Sequence, residues 1–188
     1  MSETKKYLFR DLRSDEISVR VQSATQKGVI LLLYKDARCD MNILDETFGP
    51  ECWQREHYEC KGNLFCRVGI FQADWGGWIW KADTGSESNT EPEKGEASDS
   101  FKRACVNWGI GRELYTSPFI WVPADKCKIV PDERGKCKCF DKFAVEKIKI
   151  EDKIIAGLSI LNKSIKGEVK DQRVFVWTAP KATEKGEK

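Results

Sequence analysis

The sequence has a single histidine, His57, and no run of eighteen apolar residues among its 188 positions. One histidine excludes metal centres that need several imidazole ligands, and the short apolar runs exclude a membrane-spanning helix. The first sixteen residues are rich in charge, so we expect no secretory signal and a cytoplasmic location. Walker and G-x-S-x-G motifs are missing too, which leaves no support for ATP use or for a serine nucleophile.

Charge is nearly balanced overall, with 32 Lys+Arg against 30 Asp+Glu, but it is unevenly distributed. Residues 83–99 hold six acids and one base, whereas the last 63 residues hold sixteen bases and ten acids. Hydrophobic residues make up 40% of the chain, a composition typical of a folded protein with a core. A local positive surface is therefore compatible with a formal net charge of only +2.

Short segments of alternating or aromatic-rich sequence predict antiparallel strands along most of the chain. In the first segment Ile17, Val19 and Val21 alternate with polar residues, which places Arg20 on the wet side of a hairpin. Glycine-containing turns join the three central segments and predict a meander. The predicted strands cover residues 17–21, 29–34, 53–60, 64–73, 78–82, 144–150, 154–161 and 173–177.

Two segments have helical periodicity. Residues 37–48 predict a short helix that ends at Gly49-Pro50, and residues 91–110 predict a longer one with a capping box from Thr90 to Glu93. The apolar face of the longer helix predicts that Lys102 and Arg103 project away from it. The predicted apolar stripes are Ala37, Met41, Leu44 and Phe48 in the first helix, and Ala97, Phe101, Ala104, Cys105 and Trp108 in the second.

These elements predict an α+β fold, in which an antiparallel β-meander packs on a long central helix. A short N-terminal hairpin and helix precede the meander, and a β-rich extension follows at the C-terminus. The predicted organisation is linear. It consists of a core domain at 1–115, a Cys/Lys-rich connector at 116–142, a short β extension at 143–177 and a disordered tail at 178–188.

The eight cysteines have two interpretations in a reducing compartment, namely free thiols or metal ligands. Cys127, Cys137 and Cys139 lack the paired C-x2-C spacing of a structural zinc site, so we favour free thiols. The alternative is a zinc-stabilised protein-interaction module built on these three cysteines. A nuclease is less favoured, because no compact carboxylate motif for two metal ions is visible.

The run KGEASDSFKRACVNWGIGRELY, at residues 94–115, strongly resembles the core helix of the Rad52-type single-strand annealing recombinases, in the phage branch called Sak. The segments YKDAR at 34–38, NILDETFG at 42–49 and LFCRVG at 64–69 extend the resemblance in the same order. The resemblance implies an ATP-independent protein that binds single-stranded DNA and anneals complementary strands in recombination. It implies no cofactor, no bound metal and no bond chemistry.

The resemblance also implies which residues contact DNA. The family uses an arginine in the first hairpin, a tyrosine that closes this hairpin and a Lys-Arg pair on the long helix, and these correspond to Arg20, Tyr34, Lys102 and Arg103. Eukaryotic members have another basic residue one turn later, where this chain has Val106. We therefore expect further affinity from other cations. The additional candidates are Lys35, Arg38, Arg67 and Arg112.

The partners implied by the resemblance are single-stranded DNA, identical subunits in a ring or curved filament, and a host or phage single-strand binding protein. The location implied is the cytoplasm of a bacterial host, with no membrane partner. A structural alternative exists for each cation, such as an ion pair of Lys102 with Asp99 or Glu96. Trp75 and Trp78 have two interpretations, stacking on bases or packing against a neighbouring subunit, and we favour packing.

Overall fold

The structure of the protein, a computed structural model, describes residues 9–88 and 91–180. No helix within these ranges is long and apolar enough to cross a membrane. The helices are α1 (Ala37–Phe48), α2 (Pro92–Trp108) and α3 (Val169–Gln172). The strands are β1 (Ile17–Thr25), β2 (Gly28–Lys35), β3 (Trp53–Cys60), β4 (Asn63–Gln72), β5 (Gly77–Thr84), β6 (Ile120–Pro123), β7 (Ile129–Pro131), β8 (Cys137–Cys139), β9 (Phe143–Glu151), β10 (Ile154–Asn162) and β11 (Arg173–Thr178).

The chain divides into two compact units. The first unit comprises Met1–Asp11 and Lys35–Arg112, and the second comprises Leu12–Tyr34 and Glu113–Lys188. This division differs from the linear order of domains predicted from the sequence. The reason is that β1 pairs antiparallel with β9, which brings the first hairpin into the sheet of the C-terminal segment.

The first unit contains a three-stranded antiparallel meander, β3-β4-β5, with α2 packed on one face. The register places Trp53, Ile70 and Ile79 side by side, and residues two positions along each strand share that face. Val68 and Ile70 of this face are fully buried, as is Phe101 of α2. The predicted packing of the meander against this helix is confirmed, while a central position of the helix in the whole chain stays a prediction.

The second unit contains a six-stranded sheet in the order β11-β10-β9-β1-β2-β6. Its edge strands β6 and β11 contact each other, so the sheet curls strongly. The three predicted C-terminal strands are confirmed as β9, β10 and β11. The segment interpreted as a connector contains β6, which pairs antiparallel with β2, and a separate hairpin of β7 and β8. A strand of four residues that ends in Pro123 is too short to give a clear pattern.

Both predicted helices are present with the expected ends. Asp36 caps the N-terminus of α1, and Gly49 ends the helix with a φ of +85°, a conformation that a side chain disfavours. α2 begins with Pro92 in the first turn and ends at Gly109 with a φ of +111°. The capping box predicted on Thr90 lies outside the described residues. The fold is therefore α+β with antiparallel sheets.

The buried faces of the two helices agree with the predictions to different degrees. In α2 the residues Phe101, Ala104 and Cys105 are fully buried, as the apolar stripe predicts. In α1 only Leu44 of the predicted stripe is fully buried. The face of α1 that is buried is instead Cys39, Asp40, Ile43 and Leu44. The predicted apolar stripe of α1 differs from the buried face because that face includes Asp40, and a pattern of apolar residues cannot predict the burial of an aspartate.

Candidate nucleic-acid interface

Lys102 and Arg103 leave the buried face of α2 and carry two adjacent positive charges to its surface. Their side chains are 28% and 46% exposed. Lys102 Nζ lies 3.9 Å from Asp99 Oδ1, and Arg103 Nη2 lies 3.2 Å from Asp83 Oδ1. Exposed ion pairs of this kind contribute only about 0–1 kcal/mol, so both cations can exchange their carboxylates for phosphates at little cost.

The position of this pair is held by Phe101, the residue before it. The Phe101 ring is fully buried and stacks on Trp53 with the ring centroids 6.2 Å apart. The guanidinium of Arg55 also lies over this ring, 4.7 Å from the ring centroid. Because these contacts fix the rotation of α2 against the meander, they also fix the direction in which Lys102 and Arg103 project.

Lys35 has a different placement from the other candidates, because it is buried. Its ammonium bonds the carboxylate of Asp40, and the two residues are 5% and 0% exposed. Burial raises the pKa of Asp40 to about 6, although the charge of Lys35 acts in the opposite direction. Removing Lys35 would leave the buried carboxylate of Asp40 without a cation, and this would lower the stability of the folded protein. Within this structure Lys35 therefore supports α1 and presents no surface to a phosphate.

Arg38 lies on the exposed side of α1 and is bound to the helix cap. Asp36 Oδ1 accepts from the backbone N–H of Arg38 at 2.8 Å and from its Nε at 3.0 Å. These hydrogen bonds lower the pKa of Asp36 to about 2, and the charge of Lys102 contributes to the same direction. Asp36 and Arg38 thus form a compact pair at the start of α1, in the same unit as Lys102.

Replacement of Asp36 by alanine is expected to destabilise the protein by about 1 kcal/mol at neutral pH, because the N-cap acceptor is lost. A depressed folded-state pKa gives a contribution that is present above the ordinary value of 3.8 and is lost as the pH falls toward about 2. The difference between wild type and Asp36→Ala should therefore shrink below pH 4. Urea unfolding at pH 7 and pH 3 measures it, with Asp36→Asn as the control that keeps the acceptor. An equal loss at both pH values would contradict this account.

Arg67 lies on the face of the meander opposite to α2. Its guanidinium bonds Glu56 at 2.6 Å and covers the ring of Trp80 at 4.4 Å. Trp80 packs across Gly69, where a Cβ would meet the indole ring at 2.8 Å. Because Arg67 belongs to this aromatic face, its charge points away from the side of the sheet that carries α2.

Arg112 lies four residues after the end of α2, and its side chain turns back onto the C-terminal end of the helix. Its Nε donates to the carbonyl of Val106 at 2.9 Å, and its Nη2 donates to the carbonyl of Asn107 at 2.8 Å. The side chain is exposed. A cation therefore reaches the backbone of Val106, the position at which this chain lacks a basic side chain.

Arg20 and Tyr34 meet in the second unit, on the exposed side of the first hairpin. The guanidinium of Arg20 lies 5.8 Å from the centroid of the Tyr34 ring, and Tyr34 is 39% exposed. Both residues line an open cleft of about 500 Å³. Phe140 and Lys142 line the same cleft, and sequence reasoning missed them. The pairing of β1 with β9 places them there, and no local pattern signals a pairing so distant along the chain.

His57 and Trp78 have structural contacts. His57 Nε2 lies 3.1 Å from the carbonyl oxygen of Ala97, which ties β3 to α2. Trp78 is 37% exposed and packs edge-on against Phe71 at 5.6 Å. Both interpretations of Trp78, stacking on bases and packing against a neighbouring subunit, stay predictions. The side chain of Trp75 lies outside the described part of the chain.

The cysteine cluster of the second unit does not form a metal-binding geometry. The Cys127 thiol donates to the carbonyl of Pro123 at 3.5 Å, and burial raises the pKa of Cys127 to about 11. Among the described residues, no three His, Cys, Asp or Glu side chains lie close enough together to hold a metal ion. No observation here favours the zinc-stabilised module.

Comparison with known proteins adds one finding to this geometry. Residues 1–129 match the model of the Rad52/22 family double-strand break repair proteins. The matched range covers α1, the meander and α2, and it ends before β9. Neither the curated proteins nor the solved structures contain a match to the chain.

Proposed function

Because the chain belongs to the Rad52/22 family of double-strand break repair proteins, we propose that it binds single-stranded DNA and anneals complementary strands without ATP. The family membership implies DNA binding, annealing and oligomerisation. The observation that supports a site for this activity is the adjacent pair Lys102 and Arg103. Both are held at the surface of α2 by a buried aromatic anchor, and each pairs with a partly exposed carboxylate.

The proposed mechanism is electrostatic. Cationic side chains neutralise phosphates and release condensed counterions, which holds the strand while the base edges stay free to pair. Base pairing then supplies the driving force, at about 1.4 kcal/mol per base-pair step. The protein contributes alignment and charge screening, and none of its residues makes or breaks a covalent bond.

The phosphate contacts proposed here lie in both units of the chain. In the first unit they are Lys102 and Arg103, with Arg38 and Arg112 as additional contacts and Arg67 as a separate contact on the opposite face of the meander. In the second unit they are Arg20 and Tyr34, which share the open cleft with Lys142. Lys35 is left out of the proposal because its ammonium is buried against Asp40.

The finer parts of the proposal concern assembly and origin. Identical subunits would form a ring or a curved filament, so that the contacts of one subunit continue on the next. We also propose a bacteriophage origin, action in the bacterial cytoplasm and contact with a single-strand binding protein. These rest on the resemblance of residues 94–115 to the phage branch of the family.

The test is annealing of complementary oligonucleotides, followed by fluorescence quenching, in EDTA and without nucleotide. We expect the protein to accelerate annealing by roughly tenfold or more over the protein-free reaction, because a cationic surface concentrates the strands. Added ATP should leave the rate unchanged. Rising salt should weaken binding with a slope of about 0.7 per phosphate contact. A folded protein that leaves the spontaneous rate unaltered would disprove the proposal.

A further inference from the structure

Two cations, Lys81 and Arg112, meet at the C-terminal end of α2. Lys81 Nζ donates to the carbonyl of Asn107 at 2.9 Å, and Arg112 Nη2 donates to the same oxygen at 2.8 Å. Since both bonds end on one atom, the two nitrogens lie within about 6 Å of each other. Lys81 comes from β5 and Arg112 from the segment after α2, so the tertiary structure brings them together.

The charge of this pair is not compensated by an acid. Within residues 9–88 and 91–180, no carboxylate forms an ion pair with Lys81 or Arg112. The end of the helix supplies about half a negative charge, which is less than the two positive charges that face it. In contrast, Lys102 and Arg103 each have a carboxylate partner. The pair is therefore a net positive site.

The surroundings hold Lys81 in place beside Arg112. The ammonium lies 4.6 Å from the centroid of the Trp108 ring, and the residue is half-buried. Burial and the charge of Arg112 both lower the pKa of Lys81. The two cations repel each other, and an anion placed between them would relieve the repulsion.

Lys81 and Arg112 both retain N–H groups that can donate hydrogen bonds to such an anion. An ammonium has three N–H groups, and only one is used at Asn107. The guanidinium of Arg112 uses Nε and Nη2 on helix carbonyls, and its Nη1 has no bond within the described residues. A phosphate oxygen can accept from both side chains at once.

The site is continuous with the proposed contacts on α2. Arg103 pairs with Asp83, which shares a face of β5 with Lys81 because the two residues are two positions apart. Asn107 lies one helical turn beyond Arg103, and its side-chain amide donates to the carbonyl of Ala82. A strand that passes Arg103 toward the end of the helix therefore reaches Lys81 and Arg112 next.

We propose that Lys81 and Arg112 together form a phosphate-binding site for single-stranded DNA at the C-terminal end of α2. This inference rests on the proposed DNA-binding function and extends it. It adds Lys81, which no sequence pattern indicated, and it gives Arg112 a partner. The site binds the sugar-phosphate backbone and does not discriminate between bases.

The experiment compares wild type with Lys81→Gln/Arg112→Gln for binding of oligothymidylate as a function of salt. Glutamine keeps an amide donor for the helix carbonyls, so the cap is preserved. We expect roughly tenfold weaker binding at about 0.1 M salt and a salt slope smaller by about 0.7 for one lost phosphate contact. The matched control, Lys61→Gln/Lys94→Gln, removes two exposed charges from the same unit and should bind like wild type.

The outcomes separate this site from the proposed function. If wild type binds and the double variant binds with unchanged affinity and slope, the site is disproved while the function stands. If wild type does not bind oligothymidylate, both fail. If the double variant does not fold, the proposal is tested on wild type by measuring how fast each lysine is acetylated with and without DNA. Oligothymidylate should protect Lys81 and leave Lys94 reactive, and equal reactivity of Lys81 with and without DNA would overturn the proposal.

Discussion

Replacement of both Lys102 and Arg103 by alanine is expected to weaken single-stranded DNA binding by roughly a hundredfold or more, because each charged hydrogen bond to a phosphate contributes about 1.5 kcal/mol or more. The salt slope should fall by about 1.4, which is the value for two phosphate contacts on a single strand. The annealing rate of this variant should fall together with its affinity for single-stranded DNA. The free energy of unfolding should change little, because both side chains project from the surface of α2.

Two control variants make this expectation specific. Lys61→Ala/Lys94→Ala removes the same net charge from exposed positions, and it should retain wild-type binding. Asp83→Asn/Asp99→Asn removes the carboxylates that compete with phosphate for Arg103 and Lys102, and it should tighten binding by about threefold, within the range of exposed ion pairs. Fluorescence anisotropy of labelled oligothymidylate measures all three variants.

The assignment of the pair would be lost if the alanine variant bound and annealed like wild type while it remained folded. A uniform loss in the two alanine variants would also count against it, since that result would show dependence on net charge alone. Opposite changes in the alanine and asparagine variants are the pattern that a phosphate site on α2 requires.

Replacement of Phe101 by alanine is expected to lower the free energy of unfolding by about 3–5 kcal/mol. The ring is fully buried, stacks on Trp53 and contacts the guanidinium of Arg55, so truncation leaves a cavity that α2 and the meander cannot fill. Urea unfolding measures the change, at a fixed protein concentration because oligomerisation adds to apparent stability. The midpoint should fall while the m-value stays constant.

The matched control for this core variant is Phe140→Ala. Phe140 is 75% exposed, so its replacement should change stability by no more than about 0.5 kcal/mol. Phe101→Leu keeps most of the volume and should cost about 1.5 kcal/mol or less. An equal loss at positions 101 and 140 would show that Phe101 is not the anchor of α2.

The placement of Lys102 and Arg103 could be predicted from the sequence, because helical periodicity is local. The spacing of Phe101, Ala104 and Cys105 defines one face of a helix whatever that face packs against. The same holds for the alternation that puts Arg20 on the wet side of its strand. Strand and helix bounds followed from turns at glycine and proline, which act over a few residues.

The placement of Lys35 could not be predicted in this way. Position 35 ends a strand and adjoins a polar helix start, and both features are typical of a surface residue. The structure buries it because Asp40, five residues later, faces the core and requires a cation. A buried ion pair is invisible to an apolar pattern, since its members look like surface residues in the sequence.

The sequence by itself determined both long helices, eight of the strands, the antiparallel α+β class and the cationic pair at the surface of α2, because these depend on contacts between near neighbours in the chain. Only the tertiary structure decided that the first hairpin joins the C-terminal sheet, that Lys35 is buried and that Lys81 meets Arg112. Each of these depends on pairing between distant segments, and the energy of such pairing is shared among residues that carry no common local signal.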